Sequence, residues 1–153
     1  MKKMLIALLL SSLSFISVAH AAEMNNSPLG YWKTIDDVTG EPKSVVAIYE
    51  AADHTLVGKV LKLFQDPDRL CTACEGELKN KPIVGMVVML NLKRSQERSP
   101  EWKGGSILDP KNGKSYECYV KLTDGGQKLN VRGFIGLPLF GRSQTWERLP
   151  EGW

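Results

Sequence analysis

Cys71-Thr72-Ala73-Cys74 is the densest chemical feature of this 153-residue sequence. Two thiols at that spacing can cycle as a redox pair, hold a metal as thiolates, or close a structural disulfide. Redox work of the thioredoxin type wants the first thiolate at a helix N-terminus in a βαβ setting, whereas this pair falls in a polar loop between strands. A zinc site needs about four ligands. Cys71, Cys74, Cys118 and His54 offer that number, but no second C-x-x-C or H-x-x-x-H accompanies them. A loop-clamping disulfide is the expected form, and no metal or cofactor is expected. The connectivity stays open, because either Cys71 or Cys74 can pair with the other or with Cys118.

A nucleophilic mechanism has little to work with. Beyond His20, the only histidine is His54, beside Asp53 in a turn-like stretch, and no G-x-S-x-G elbow occurs. A Ser-His-Asp or Cys-His device would have to use that one residue as its base. Asp36-Asp37 and the pair Asp66 and Asp68 are too close along the chain to face each other across a sugar at roughly 5 to 9.5 Å, so they read as turn formers. No catalytic residue is assigned, and the chain reads as non-enzymatic.

Binding chemistry has more material. Trp102, Tyr116, Phe134 and Phe140, with the cations Arg132 and Arg142, are the candidate ligand-binding residues, since pockets are lined by large apolar side chains with a few polar groups that fix orientation. The run Gly133-Phe134-Ile135-Gly136-Leu137-Pro138-Leu139-Phe140-Gly141 is apolar and bordered by glycine, as a mouth loop or cap would be. A small, mostly apolar molecule is the expected partner.

These residues must be carried by strands. Turn signals recur at short intervals, at 39–42, 52–54, 109–113 and 124–126, each supplying Gly, Pro, Asp or Asn where a reversal needs positive or fixed φ. Between them lie β-rich runs at 31–35, 44–50, 56–63, 83–90, 105–108, 115–122, 128–135 and 143–149. Residues 115–122 alternate, with Tyr116, Cys118, Val120 and Leu122 on one face and Glu117, Tyr119 and Lys121 on the other, so Cys118 is expected to point inward. In 128–135 the same rule separates Leu129, Val131, Gly133 and Ile135 from Lys128, Asn130, Arg132 and Phe134. Eight strands in hairpin order predict an all-β, up-and-down antiparallel barrel that removes its own sheet edges, with a two-sheet sandwich as the alternative. Such a barrel is either filled by side chains or holds one small ligand. Two connections, 64–82 and 91–104, exceed hairpin length; loops of that length are often binding loops, lids or disordered segments.

The N-terminus addresses the compartment. Lys2 and Lys3 precede an apolar run, which ends in Ala19-His20-Ala21. That is the pattern of a signal peptide over residues 1–21, cleaved near Ala21 and leaving a domain over 22–153 that is periplasmic or secreted. No segment reaches the roughly 20 apolar residues of a spanning helix, so no stable membrane insertion is expected. Without Lys2 and Lys3, the 20 basic residues become 18 against 17 acidic ones. A near-neutral surface with no clustered Lys/Arg footprint argues against nucleic acid. Nothing in the sequence fixes an oligomeric state.

Gly30-Tyr31-Trp32, Gly58-Lys59, Cys71-x-x-Cys74, Pro82-Ile83-Val84-Gly85-Met86, Trp102-x-Gly104-Gly105, Ile107-Leu108-Asp109-Pro110, Asn112-Gly113-Lys114-x-Tyr116, Val131-Arg132-Gly133-Phe134-Ile135-Gly136 and Gly141-Arg142-Ser143-Gln144-Thr145-Trp146 follow one another in order. Together they resemble the small exported bacterial family catalogued as domain of unknown function 2147. The resemblance implies an exported, lipocalin-like barrel of the calycin type. The G-x-W opening is similar to a lipocalin start, in which a tryptophan at the barrel base packs on an arginine from the end of the chain. It implies that Trp32 is that tryptophan, and Arg148 or Arg142 its arginine, in a structural role.

Overall fold

The computed structural model describes residues 26–153; the signal peptide read over 1–21 lies outside the described residues. Eight strands follow in order: β1 (Gly30–Ile35), β2 (Pro42–Glu50), β3 (Leu56–Leu63), β4 (Val87–Arg94), β5 (Glu101–Asp109), β6 (Lys114–Thr123), β7 (Lys128–Phe134) and β8 (Gly141–Arg148). Each pairs antiparallel with the next, and β1 pairs with β8 through Trp32 opposite Arg148 and Lys33 opposite Glu147. The sheet is thus a closed barrel, which excludes the sandwich and leaves no unpaired edge.

Side-chain polarity and turn chemistry account for this order. Asp36 Oδ1 accepts the N–H groups of Val38 and Thr39, and Asp109 and Asn112 do the same for Lys111 and Lys114, so short polar side chains hold the β1–β2 and β5–β6 reversals. The inward register of β6 contains Cys118, Val120 and Leu122, all buried, opposite Gly133, Val131 and Leu129 of β7.

The sequence reading needs correction at β4 and β5. Residues 83–86 belong to the preceding loop, and the expected long connection at 91–104 is mostly strand, with a short tip at 95–100. Asn91 (φ 61°) and Gly104 (φ 75°) explain the error. Both adopt left-handed backbone inside their strands; the β3–β4 register shifts between Leu56 opposite Leu92 and Gly58 opposite Met89, and the β5–β6 register between Trp102 opposite Val120 and Gly105 opposite Cys118. Such bulges interrupt alternation without ending the ladder. Trp102 is therefore a strand residue and not part of a loop.

The core occupies the end of the barrel where the chain enters and leaves. Trp32, Met89, Leu92, Val120 and Leu129 are fully buried there or at mid-height. The opposite end carries the loops 36–41, 64–86, 110–113 and 135–140.

Candidate functional site

One end of the barrel is sealed. The Arg148 guanidinium lies over the Trp32 ring at 4.3 Å and donates to the carbonyls of Gly126 (2.6 Å), Leu29 (2.8 Å) and Ser27 (2.6 Å). Trp32 Nε1 donates to Pro28 O at 2.8 Å. Cation-π attraction and charge-assisted hydrogen bonds thus close the base on both sides of one indole. Arg94 stacks on Trp102 at 4.9 Å on the same end. Burial pushes the Arg148 pKa down from its ordinary value.

The other end is open and leads into a cavity of about 630 Å³. Its inner walls are Val46, Val60, Val88, Ile107, Val131 and Trp146, from six different strands. A polar band lies above them. Thr34 Oγ1 and Ser44 Oγ share a hydrogen bond of 2.7 Å, and Gln144 Oε1 accepts from Trp146 Nε1 at 3.1 Å. The Tyr116 hydroxyl accepts from Asn112 Nδ2 at 2.9 Å. Apolar walls below a hydrogen-bonding band suit an amphiphilic guest with its apolar part inward.

The rim is charged, and two of its acid–base pairs are in contact. Asp37 takes both Nε and Nη2 of Arg142, tying the β1–β2 loop to the start of β8, and Lys43 lies 3.4 Å from Asp36. The guanidinium beside Asp37 holds its carboxyl below the usual range, and Asp37 in turn raises Arg142. Asp36 is held well below the usual carboxylate range, first by the N–H groups of Thr39 and Val38 and then by Lys43.

Loop 64–86 forms one side of the mouth, where Arg69 and Ile83 border the cavity. Cys71 and Cys74 are joined to each other and buried, so neither offers a thiolate to a metal or a redox partner in this form. Around the disulfide, Cys71 N–H donates to Lys81 O, Asn80 N–H to Cys71 O, and Ile83 N–H to Arg69 O, folding the loop into a small hairpin. Cys71 Sγ lies 3.4 Å from Pro110 O, so this hairpin rests on the β5–β6 turn. Cys118 is a free, buried thiol whose pKa burial pushes up to about 12.

Of the residues expected to bind a ligand, Tyr116, Phe134, Phe140 and Arg142 border the cavity, whereas Trp102 and Arg132 do not. Trp102 is a correction: it is 5% exposed at the sealed end, beneath Arg94. Arg132 is another. Its Nε donates to Pro138 O, Nη2 to Leu139 O and Nη1 to Ser143 Oγ, so its donors organise loop 135–140 rather than facing the cavity. Phe134 sits on the outward register of β7, buried beside the Tyr119 ring at 6.1 Å, and meets the cavity only where the strand ends. Arg148, not Arg142, is the arginine on Trp32. His54 is exposed in the turn between β2 and β3, at the sealed end, with Nδ1 2.6 Å from Glu50 Oε1. Thr34, Ser44 and Gln144 were not singled out from the sequence. Extending the β8 alternation from Trp146 back through Gln144 to Arg142 is the signal that finds the last of them.

The profile of a family described as "uncharacterized protein conserved in bacteria (DUF2147)" matches residues 30–148. No curated protein matches the sequence. Among solved structures, protein HP1028 from the human pathogen Helicobacter pylori, described as belonging to the lipocalin family, superposes with a TM-score of 0.71 at 19% identity, covering 82% of this chain and 84% of that one. At that identity the likeness concerns the fold: both are lipocalin-like barrels.

Proposed function

We propose, from the premise that this chain belongs to the DUF2147 family of bacterial proteins and folds as a lipocalin-like barrel, that it is a non-enzymatic carrier or sensor of a small, mostly apolar molecule held in the barrel. The observation that carries the reading is the contrast between the two ends. The base is sealed by Arg148 and Trp32, while about 630 Å³ remains open above it, within the 300–1,000 Å³ span of small-molecule sites. A barrel serving only as a scaffold has no need of that space, because eight strands can be filled by side chains.

We also propose that the protein acts in the periplasm or outside the cell, after loss of residues 1–21. The Lys2-Lys3 start, the apolar run and Ala19-His20-Ala21 support this, and so does the Cys71–Cys74 disulfide, a bond that persists in oxidising compartments.

The test is titration with N-phenyl-1-naphthylamine, an uncharged apolar fluorophore. Saturable, one-to-one enhancement is expected, with Kd raised at least about tenfold, or about 1.4 kcal/mol, in Val131→Phe, which projects a ring into the cavity. Urea unfolding of the variant checks that it is folded. Absence of saturable binding, or equal binding by a folded Val131→Phe, rejects the reading.

A further inference from the structure

The two ends of the barrel differ in what they show to solvent. The turns at the sealed end, residues 51–55, 95–100 and 124–127, expose no large apolar side chain, and the chain ends beside them carry only Leu29 and Trp153, each less than half exposed. At the open end, loop 135–140 exposes Ile135 (67%), Leu137 (62%), Leu139 (80%) and Phe140 (69%), and loop 64–86 adds Phe64 and Leu70. Contiguous exposed apolar groups mark contact sites.

We propose that the open end docks on a lipid bilayer, with loop 135–140 entering the headgroup and upper acyl region so that the cavity mouth faces lipid. Three observations favour a bilayer as the occupant. First, loop 135–140 has no ionisable side chain, and much of its backbone is satisfied from within. Arg132 donates to Pro138 O (2.7 Å) and Leu139 O (3.3 Å), Leu137 N–H to Ile135 O and Phe140 N–H to Leu137 O. Carbonyls in water need no such partner, but carbonyls taken into an apolar phase do.

Second, the charges around the mouth balance in sign, Asp36, Asp37, Glu41 and Asp109 standing against Lys43, Arg69, Lys111 and Arg142, with Asp37 bonded to Arg142 and Asp36 close to Lys43. The rim therefore presents little net field and matches a zwitterionic surface. Third, Ile135 and Phe140 border the cavity and are also exposed, so the apolar surface of the loop is continuous with the apolar interior. A guest of low water solubility can pass from bilayer to barrel along it. The barrel wall itself does not suit lipid. Lys59, Lys103, Glu117 and Lys121 are exposed on β3, β5 and β6, where a spanning barrel would carry an apolar band. The protein would lie on the membrane, mouth down, as interfacial elements do.

This inference rests on the ligand-binding reading for its purpose, and the experiment separates the two. The mature chain is floated with vesicles of phosphatidylcholine and, separately, of phosphatidylethanolamine with phosphatidylglycerol, and N-phenyl-1-naphthylamine binding is measured without vesicles. The expected result is flotation with both vesicle types, little affected by salt, and at least about tenfold weaker partitioning for Leu137→Ser/Leu139→Ser. Both side chains are exposed and lie off the cavity wall, so the variant should keep the wild-type unfolding midpoint and probe affinity.

No flotation with either vesicle type overturns the docking and, if the probe still binds, leaves the cavity reading standing. Flotation without probe binding does the reverse. Equal flotation of the folded double variant overturns the role of loop 135–140. Binding only to phosphatidylglycerol vesicles and abolished by salt replaces apolar docking by charge attraction. Self-association seen by light scattering, absent in the double variant and unaccompanied by flotation, makes a second copy the occupant instead.

Discussion

A Cβ placed on Gly113 would stand 1.9 Å from the carbonyl oxygen of Ala73. Ala73, one of the two residues between the bonded cysteines, is thus pressed against the β5–β6 turn with no room for a methyl group, and Gly113 also holds a left-handed φ of 72°. The obstacle is backbone, which cannot swing aside as a side chain can. Gly113→Ala is expected to lose about 2–4 kcal/mol, from the strained φ and from displacement of loop 64–86. Urea unfolding measures the first effect, and faster proteolysis within 64–86 under native conditions reports the second. Wild-type behaviour in both would mean that the loop is not docked there.

Legibility from sequence followed the range of the interaction involved. The inward placement of Cys118 could be read because alternation over Tyr116, Cys118, Val120 and Leu122 is local, and the hairpin order could be read because Asp and Asn turns are local too. At β4 and β5 the left-handed Asn91 and Gly104 broke the period, so a continuous hairpin looked like a loop. The cavity was out of reach, because it depends on distances between strands on opposite walls. Trp102 and Trp146 look alike in sequence, yet one plugs the base and the other lines the cavity. The pairing of Cys71 with Cys74 rather than Cys118 likewise rests on the placement of the whole loop.

Arg148 makes the seal at the base testable. Its three hydrogen bonds go to two separate segments, the turn before β7 and, twice, the stretch ahead of β1, while its plane covers Trp32. Arg148→Ala is expected to cost about 2–4 kcal/mol. Arg148→Lys should recover less than half of that, since an ammonium lacks the planar fork needed to reach the three carbonyls at once. Chemical unfolding of the pair decides it; full recovery by lysine would show that charge alone suffices.

The disulfide closes a short ring, so its removal has a modest global cost. For a loop of this size the chain-entropy relation gives about 2 kcal/mol. The local effect should be larger, because Arg69 and Ile83, which border the cavity, hang on the same small hairpin. Cys71→Ala/Cys74→Ala is expected to lower stability by about 2 kcal/mol and to weaken N-phenyl-1-naphthylamine binding. Unchanged probe affinity would place the loop outside the binding site.

Cys118 adds a pH dependence with a definite sign. In the unfolded chain the thiol titrates near its ordinary 9.0, while burial raises it to about 12 in the folded one. Between those values the folded protein keeps a proton that the unfolded chain releases, so the contribution is fully present below pH 9 and is lost as pH rises towards 12. The slope can reach about 1.4 kcal/mol per pH unit. Wild type is compared with Cys118→Ala, so that the thiol is the one titrating group that differs. At neutral pH the variant should be less stable by about 1 kcal/mol, the cost of a small buried void. Above pH 9 the gap should narrow and then reverse, as the wild type alone carries the cost of keeping a buried thiol protonated. Iodoacetamide should leave the folded wild type unmodified at pH 8 and label it once urea is added. Parallel stability curves from pH 8 to pH 10.5, or rapid labelling of the folded protein, would show that Cys118 is not held in the apolar interior.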